Sequence, residues 1–465
     1  MSYRTGILPS DWKSANVIPI HKKGPTKCAS NYRPISLTSE VVKVMEIVIR
    51  RKIVSFLVSN SLIDNMQHGF LKKRSTVTQL LSCLNNWTKE VDRKKHLDVV
   101  YLDIAKAFDS VSHPKLIEKL KSLNFSDTLV NWLENYLTNR VQMVKIENSI
   151  SRKKYVTSGV PQGSILGPIL FLIYINDLSK VVKNSKIALY ADDSKIYFSF
   201  NSNMNNNLLI EDMKLVFDWA SKNQLKIAFQ KSAILHFGRG NNTGDLILGD
   251  ISIPNEEVMK DLGVWISNDL KFSNHINKMA KSCFQMTNLM FLSFETQIRP
   301  FLVNLFKTFV RSKLEYASEV WSPSIYKDID LIESVQRRFT KRIPGCRNLS
   351  YPERLKLCNL ESLELRRLKS DLVFVYKLIH NLVDIPFEDF LKYSNSSSIR
   401  GNETRLLVQG SRLKIREDFF SNRVVKVWNS LDQNVVSSKT LYSFRSKLDK
   451  YNLSAFLRYT VIHVV

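Results

Sequence analysis

Residues 186–200 read KIALYADDSKIYFSF. Two short apolar runs, at 186–190 and 195–200, predict strands, and Ala191, Asp192 and Asp193 fall at the tip of the hairpin between them. Alone, such a tip is an ordinary turn, because Asp accepts turn geometry readily. A second stretch changes its meaning. In LDVVYLDIAKAFDSVSHPKL, residues 97–116, an apolar strand over 97–104 carries Asp103 near its end. The chain then turns through Ala105 to Phe108 into a helix begun near Pro114, which Asp103 or Asp109 could simply cap. Yet Asp103, Asp192 and Asp193 all stand at strand ends of what can be one sheet, where neighbouring strands bring such ends together. Gathered carboxylates repel unless a cation shares them. Asp oxygens without nearby His or Cys suit a hard ion such as Mg²⁺, which keeps waters and takes its other ligands from phosphates. Two such ions serve an in-line phosphoryl transfer.

The composition names the class of partner. The 465 residues are 44% hydrophobic and 10% aromatic, enough for a substantial core in two or three domains. Against 43 Asp and Glu stand 68 Lys and Arg, a formal charge of +25 that calls for a polyanion. Charge alone fits a membrane surface as well as nucleic acid. With the acidic site added, it points to polyphosphate chemistry on a nucleic acid. Five scattered cysteines give no disulfide framework, which suits a reducing compartment. The start, MSYRTGILPSDWK, has no apolar signal core, and the longest apolar run, ILFLIYI at 169–175, is far too short to span a bilayer. A soluble intracellular protein without a membrane partner is expected.

Apolar spacing divides the chain in two. Up to about residue 270 it alternates between helical and strand periods. Ser39 and Glu40 open a predicted helix through Asn60, with Val41, Val44, Met45, Val48 and Phe56 at helical spacing, and 208–220 predicts another. From about 271 the strand pattern stops, and 297–314, 329–343 and 362–379 show three-to-four spacing with basic exposed faces. Polar stretches at 201–207 and 393–404 read as loops or linkers.

Motifs in order resemble a known family. YADD at 190–193, YLDIAKAFDSV at 101–111 and SGVPQGSILGPILF at 158–171 resemble the palm of reverse transcriptases, specifically those of non-LTR, jockey-like retrotransposons. WKSANVIPIHKKG at 12–24 and NYRPISLTS at 31–39 resemble the finger motifs; QHGFLKKRST at 67–76 comes next in order, and DLGVWI at 261–266 resembles the primer grip. LEYASEVWSP at 314–323, ESVQRRFTKRIPG at 333–345 and VVKVWNSL at 424–431 resemble the thumb and the region C-terminal to it.

The resemblance implies an α+β right hand: fingers and palm over 1–270, the palm an antiparallel sheet with helices on one face, a helical thumb over 271–345, and an all-helical C-terminal region over 346–465. It implies RNA-directed DNA polymerisation with RNA template, DNA primer and deoxynucleoside triphosphates as partners and two Mg²⁺ ions, or Mn²⁺, as cofactors. Asp103, Asp192 and Asp193 would hold the metals. Lys22 or Lys23 and Arg33 would clamp the triphosphate, as ammonium and guanidinium groups can. Phe108 would be the steric gate that crowds a ribose 2′-hydroxyl. Gln162 and Gly163 would lie against nucleotide and template, glycine allowing close backbone approach, and Lys231 would protonate the pyrophosphate leaving group.

One position departs from the family pattern. The family usually has Asn three residues before this Lys, whereas LKIAFQKS has Ala228. Arg337, Arg338, Phe339, Lys341 and Arg342 suit a helix along a phosphate backbone with a ring free to stack. Relatives usually begin with an endonuclease domain; no stretch here supplies one, and His68, His96 and His113 stand apart from any Cys pair, so the chain reads as a 5′-truncated reading frame. The alternative reading is a non-catalytic RNA-binding remnant. Group II intron maturases and telomerases share the palm, but QHGF and the C-terminal VWNSL favour the retrotransposon kind.

Overall fold

The apolar run His96–Leu102 forms the inner strand of a four-stranded sheet, flanked by Asp193–Phe200 and by Ala233–Phe237, with Lys186–Tyr190 outside Asp193–Phe200. Every pairing is antiparallel. The computed structural model describes residues 1–201, 204–241, 244–295, 297–394 and 404–458; the parts of the two expected linkers at 202–203 and 395–403 lie outside the described residues. Register sets the acids. Tyr190 is opposite Asp193, which leaves Ala191 and Asp192 as the two-residue tip. Leu102 is opposite Ser194, so one step further Asp103 falls opposite Asp193.

Helices cover both faces of this sheet, not the one expected. Leu97, Val99 and Tyr101 belong to the apolar cluster of Trp87 and Phe237, while Val100 and Leu102 belong to that of Leu116, Leu133 and Leu172. The strand offers no polar face to water, so both sides must be buried. Asp98, its one acid, is fully buried and satisfied by His236, Asn206 and Asn241.

A second sheet precedes it in the chain. Ser14–His21 pairs antiparallel with Tyr32–Leu37 and parallel with Arg140–Ile146, which also carries Lys154–Val156. The expected helix is present as Glu40–Ser59, but turned: Val42, Glu46, Ile49, Ile53 and Leu57 are buried, whereas Val41, Val44 and Val48 are exposed. The helix has apolar residues on more than one side, so spacing offers two stripes. The stripe containing Glu46 faces inward because its carboxylate accepts from Tyr136 Oη and from the backbone N–H groups of Ile165 and Leu166.

Beyond Ser267 the described secondary structure is helical, apart from one bridge between Tyr393 and Leu406. Ser273–Ser293 packs against Tyr326–Arg342, and Leu363–Ile379 comes after them. A single apolar cluster runs from Leu80 and Trp87 through Trp321, Phe339 and Phe374 to Trp428 and Leu453, so these helices share a core with the sheet. No described helix is long and apolar enough to cross a membrane.

Candidate functional site

The site grows from the hairpin tip. Asp192 is half-buried and Asp193 keeps an exposed surface, yet the chain packed around both carboxyls limits their hydration. Burial, and then the charges of Asp192 and Asp261, push Asp193 up to about 6. Burial raises Asp192 as well; Asp103 adds to the rise, while its own backbone hydrogen bond and the charges of Lys22 and Arg33 oppose it. The three acids therefore share one electrostatic site, and the finger cations Lys22 and Arg33 act on it. Lys23 is exposed beside Lys22, and no contact ties it to the acids among the described residues.

Lys231 reaches the third acid, its Nζ 3.2 Å from Asp103 Oδ2. Both side chains are well exposed, so the pair contributes little to stability and the ammonium is free to leave it. The loop that carries Lys231 is held by backbone. Ala228 N donates to Asp103 O at 2.8 Å, Ala105 N donates to Lys226 O at 2.8 Å, and Ala228 O accepts from Lys231 N at 2.9 Å. The loop is thus tied beside Asp103 without the family's Asn side chain at 228.

Phe108 sits in the turn Ala107–Ser110, stacked on Phe171 with centroids 4.6 Å apart and edge-on to Phe70 at 6.3 Å. Gln162 Nε2 donates to Asp109 Oδ1 at 2.8 Å, and its carbonyl accepts from Ser36 N at 2.7 Å. Gly163 comes next with φ +107°, and a Cβ there would come within 2.8 Å of Ser36 O. Between the finger strands and this turn lies a cavity of about 290 Å³ lined by Pro34, Ser36, Asp109, Arg140 and Gln162.

As a metal site this is open. Among the described residues no three His, Cys, Asp or Glu side chains stand together as a ready cage. Mg²⁺ does not require such a cage, since it binds through one or two carboxylates and completes its shell with water and phosphate. The donors are oxygen only, and the carboxyls of Asp192 and Asp193 are raised first by burial and then by neighbouring acids, more than the nearby cations Lys22, Arg33 and Lys195 offset. The residues fit the ion.

The helix Tyr326–Arg342 corrects one expectation. Phe339 is not free to stack: it is buried, 4.4 Å from Phe306 in the core. Arg337 is paired with Asp330. Among the exposed cations, which include Lys341, Arg338 lies over the Phe284 ring at 4.7 Å and Arg342 over Phe291 at 4.1 Å. In the DLGVWI hairpin, Lys278 lies over Trp265 at 3.4 Å.

Other supports carried no sequence signal of their role. Glu46 pins the turn before the helix Gly167–Ile175. Lys195 and Asp261, almost wholly buried and 2.6 Å apart, tie the 186–200 hairpin to the DLGVWI hairpin. Gln67 touches the hairpin tip itself, its Oε1 accepting from Ala191 N at 2.9 Å.

The family described as reverse transcriptase (RNA-dependent DNA polymerase) matches residues 20–295. A probable RNA-directed DNA polymerase from transposon X-element of Drosophila melanogaster is 28% identical over 376 residues, 77% of this chain and 41% of that protein. The RNA-directed DNA polymerase from mobile element jockey of the same species is 29% identical over 357 residues, 73% and 38% of the two chains. The chain thus spans about two-fifths of the length of these curated relatives. Among solved structures, apo telomerase from Candida tropicalis matches at 12% identity with a TM-score of 0.44, over 80% of this chain and 67% of that one.

Proposed function

The chain belongs to the reverse transcriptase family, and from that premise we propose that it is the RNA-directed DNA polymerase of a non-LTR retrotransposon, adding deoxynucleotides to a primer 3′-hydroxyl on an RNA template. What supports this reading is that Asp103, one step beyond the Leu102–Ser194 pair, acts electrostatically on both Asp192 and Asp193 at the hairpin tip, while Lys22 and Arg33 act on Asp192. We assign fingers and palm to residues 1–270, thumb to 271–345 and a helical C-terminal region to 346–465.

Asp103, Asp192 and Asp193 would hold two Mg²⁺ ions, which when bound supply positive charge to the triphosphate and acidify the primer hydroxyl. Lys22 and Arg33 bind the triphosphate oxygens from the finger side, as their field at Asp192 suggests. The 3′-oxygen attacks the α-phosphorus, the bond to the bridging oxygen breaks, and pyrophosphate leaves. Lys231, 3.2 Å from Asp103, is placed to give its proton to that leaving group. Phe108, braced on Phe171, excludes a ribose 2′-hydroxyl. Gln162 and Gly163 press the turn against the Ser36 strand and bound the space for template and nucleotide.

Extension of oligo(dT) on poly(rA) with dTTP and Mg²⁺ tests the reading. Product that disappears in Asp103→Asn is expected. Salt-sensitive RNA binding with no product would instead favour the RNA-binding remnant.

A further inference from the structure

The tip of the catalytic hairpin is held in an unfavourable backbone conformation by a side chain that the polymerase chemistry does not use. Ala191 has φ +55°, a left-handed conformation that an L residue with a Cβ adopts only under constraint. It is buried, and its N–H donates to Gln67 Oε1 at 2.9 Å. The same oxygen accepts from Gly69 N at 2.7 Å. Two backbone N–H donors at one atom fix the amide orientation, since the NH₂ group could accept neither. Nε2 is buried without a partner among the described residues, so the oxygen is the working end of Gln67.

The backbone around Gln67 is clamped to the hairpin as well. His68 N donates to Leu189 O at 2.8 Å, and Leu189 N donates to Met66 O at 3.0 Å, a short parallel bridge onto the strand that leads to Asp192. A Cβ on Gly69 would lie 2.5 Å from Ala191 N, so the two segments are as close as backbone allows. Gln67 is itself anchored from outside. Arg74 Nη1 donates to Gln67 O at 2.6 Å while its Nε donates to Asp384 Oδ2 at 2.7 Å in the C-terminal region. Lys73 Nζ and O bond Asn381 O and Asp384 N. The loop is thus tied to the hairpin at one end and to the C-terminal helices at the other.

Resting on the polymerase reading above, we propose that Gln67 is a positioning residue: its amide oxygen holds Ala191 in the left-handed conformation that sets Asp192 and Asp193 across from Asp103. It touches neither nucleotide nor metal. Its loss should loosen the geometry of the acids while leaving the surfaces that grip nucleic acid in place.

The test uses the full chain. Gln67→Met keeps the volume and removes the acceptor; Gln67→Glu keeps an acceptor. Mn²⁺ binding is followed by electron paramagnetic resonance, beside kcat, KM for dTTP, the Kd for poly(rA)/oligo(dT) and the Tm. Gln67→Met is expected to weaken Mn²⁺ binding and lower kcat by about 10- to 100-fold, with KM and duplex Kd changed by no more than about twofold, and Gln67→Glu to recover most of the Mn²⁺ affinity. Unchanged Mn²⁺ binding in Gln67→Met overturns the proposal, as does a parallel loss of Mn²⁺ affinity, duplex affinity and Tm that Gln67→Glu does not relieve. If Gln67→Met does not fold, Gly69→Ala presses on Ala191 N from the same contact and is read by the same split. Wild-type protein without incorporation would sink the polymerase reading, yet the Mn²⁺ comparison would still decide the role of Gln67.

Discussion

Phe108, proposed above to exclude a ribose 2′-hydroxyl, is held by its surroundings. Stacking on Phe171 and edge contact with Phe70 leave the ring little freedom to retreat from a ligand. Phe108→Val is expected to raise the use of rUTP relative to dTTP on poly(rA) by about 10-fold or more, the range that small changes of apolar bulk span. Unchanged discrimination with a normal KM for dTTP would remove the ring from that role. The placement of Asp103 at a strand end and of Asp192 and Asp193 at a hairpin tip was legible in sequence, and a carboxylate at the end of an apolar strand draws attention because it is costly without a counter-charge. Gln67 and Glu46 were not legible. Gln67 stands in a motif that marks the family and Glu46 in a predicted helix, but only the fold reveals that each accepts backbone N–H groups from segments about 120 residues away.

At the scale of elements, period was readable and facing was not. The helix Glu40–Ser59 was expected from its spacing, yet its buried stripe is the one containing Glu46, because a helix with apolar residues on more than one side is oriented by its partners. The sheet hairpin was legible from two short apolar runs around a turn, whereas the strands Ser14–His21 and Arg140–Ile146 pair across more than a hundred residues and have no local signal. In Tyr326–Arg342 the basic run was visible, but which cations face out depends on packing: Phe339 went to the core and Arg338 and Arg342 to the surface. Arg338→Ala with Arg342→Ala is expected to weaken poly(rA)/oligo(dT) binding and lower the slope of log Kd against log salt by about one per lost phosphate contact. A slope equal to that of wild type would show that this face meets solvent, not nucleic acid.

Over the whole molecule, the +25 charge and the shared core belong together: one apolar cluster joins sheet and C-terminal helices into a body on which that charge is displayed. The core also buries histidines, with a consequence for pH. Burial, then the charges of Arg74 and Lys195, lowers His68 to about 3. Unfolded His takes up a proton near 6.5 that the folded state refuses, so its contribution is full above that pH and is lost as pH falls toward 3. At pH 5 this amounts to about 2 kcal/mol, and His68→Gln should lose correspondingly less stability between pH 7.5 and 5 in urea unfolding. Asp371, raised to about 6 mainly by burial, works in the opposite sense, so the difference between the two proteins is the quantity to read; identical pH dependences would contradict the assignment. For the central claim, the most direct measurement pairs binding and chemistry on poly(rA)/oligo(dT) with dTTP and Mg²⁺ in wild type and Asp192→Asn. Wild type should incorporate dTMP, and Asp192→Asn should bind the duplex within about twofold yet incorporate at least about a thousandfold more slowly. Wild-type protein that binds but never extends the primer, or Asp192→Asn that extends it normally, would contradict the account.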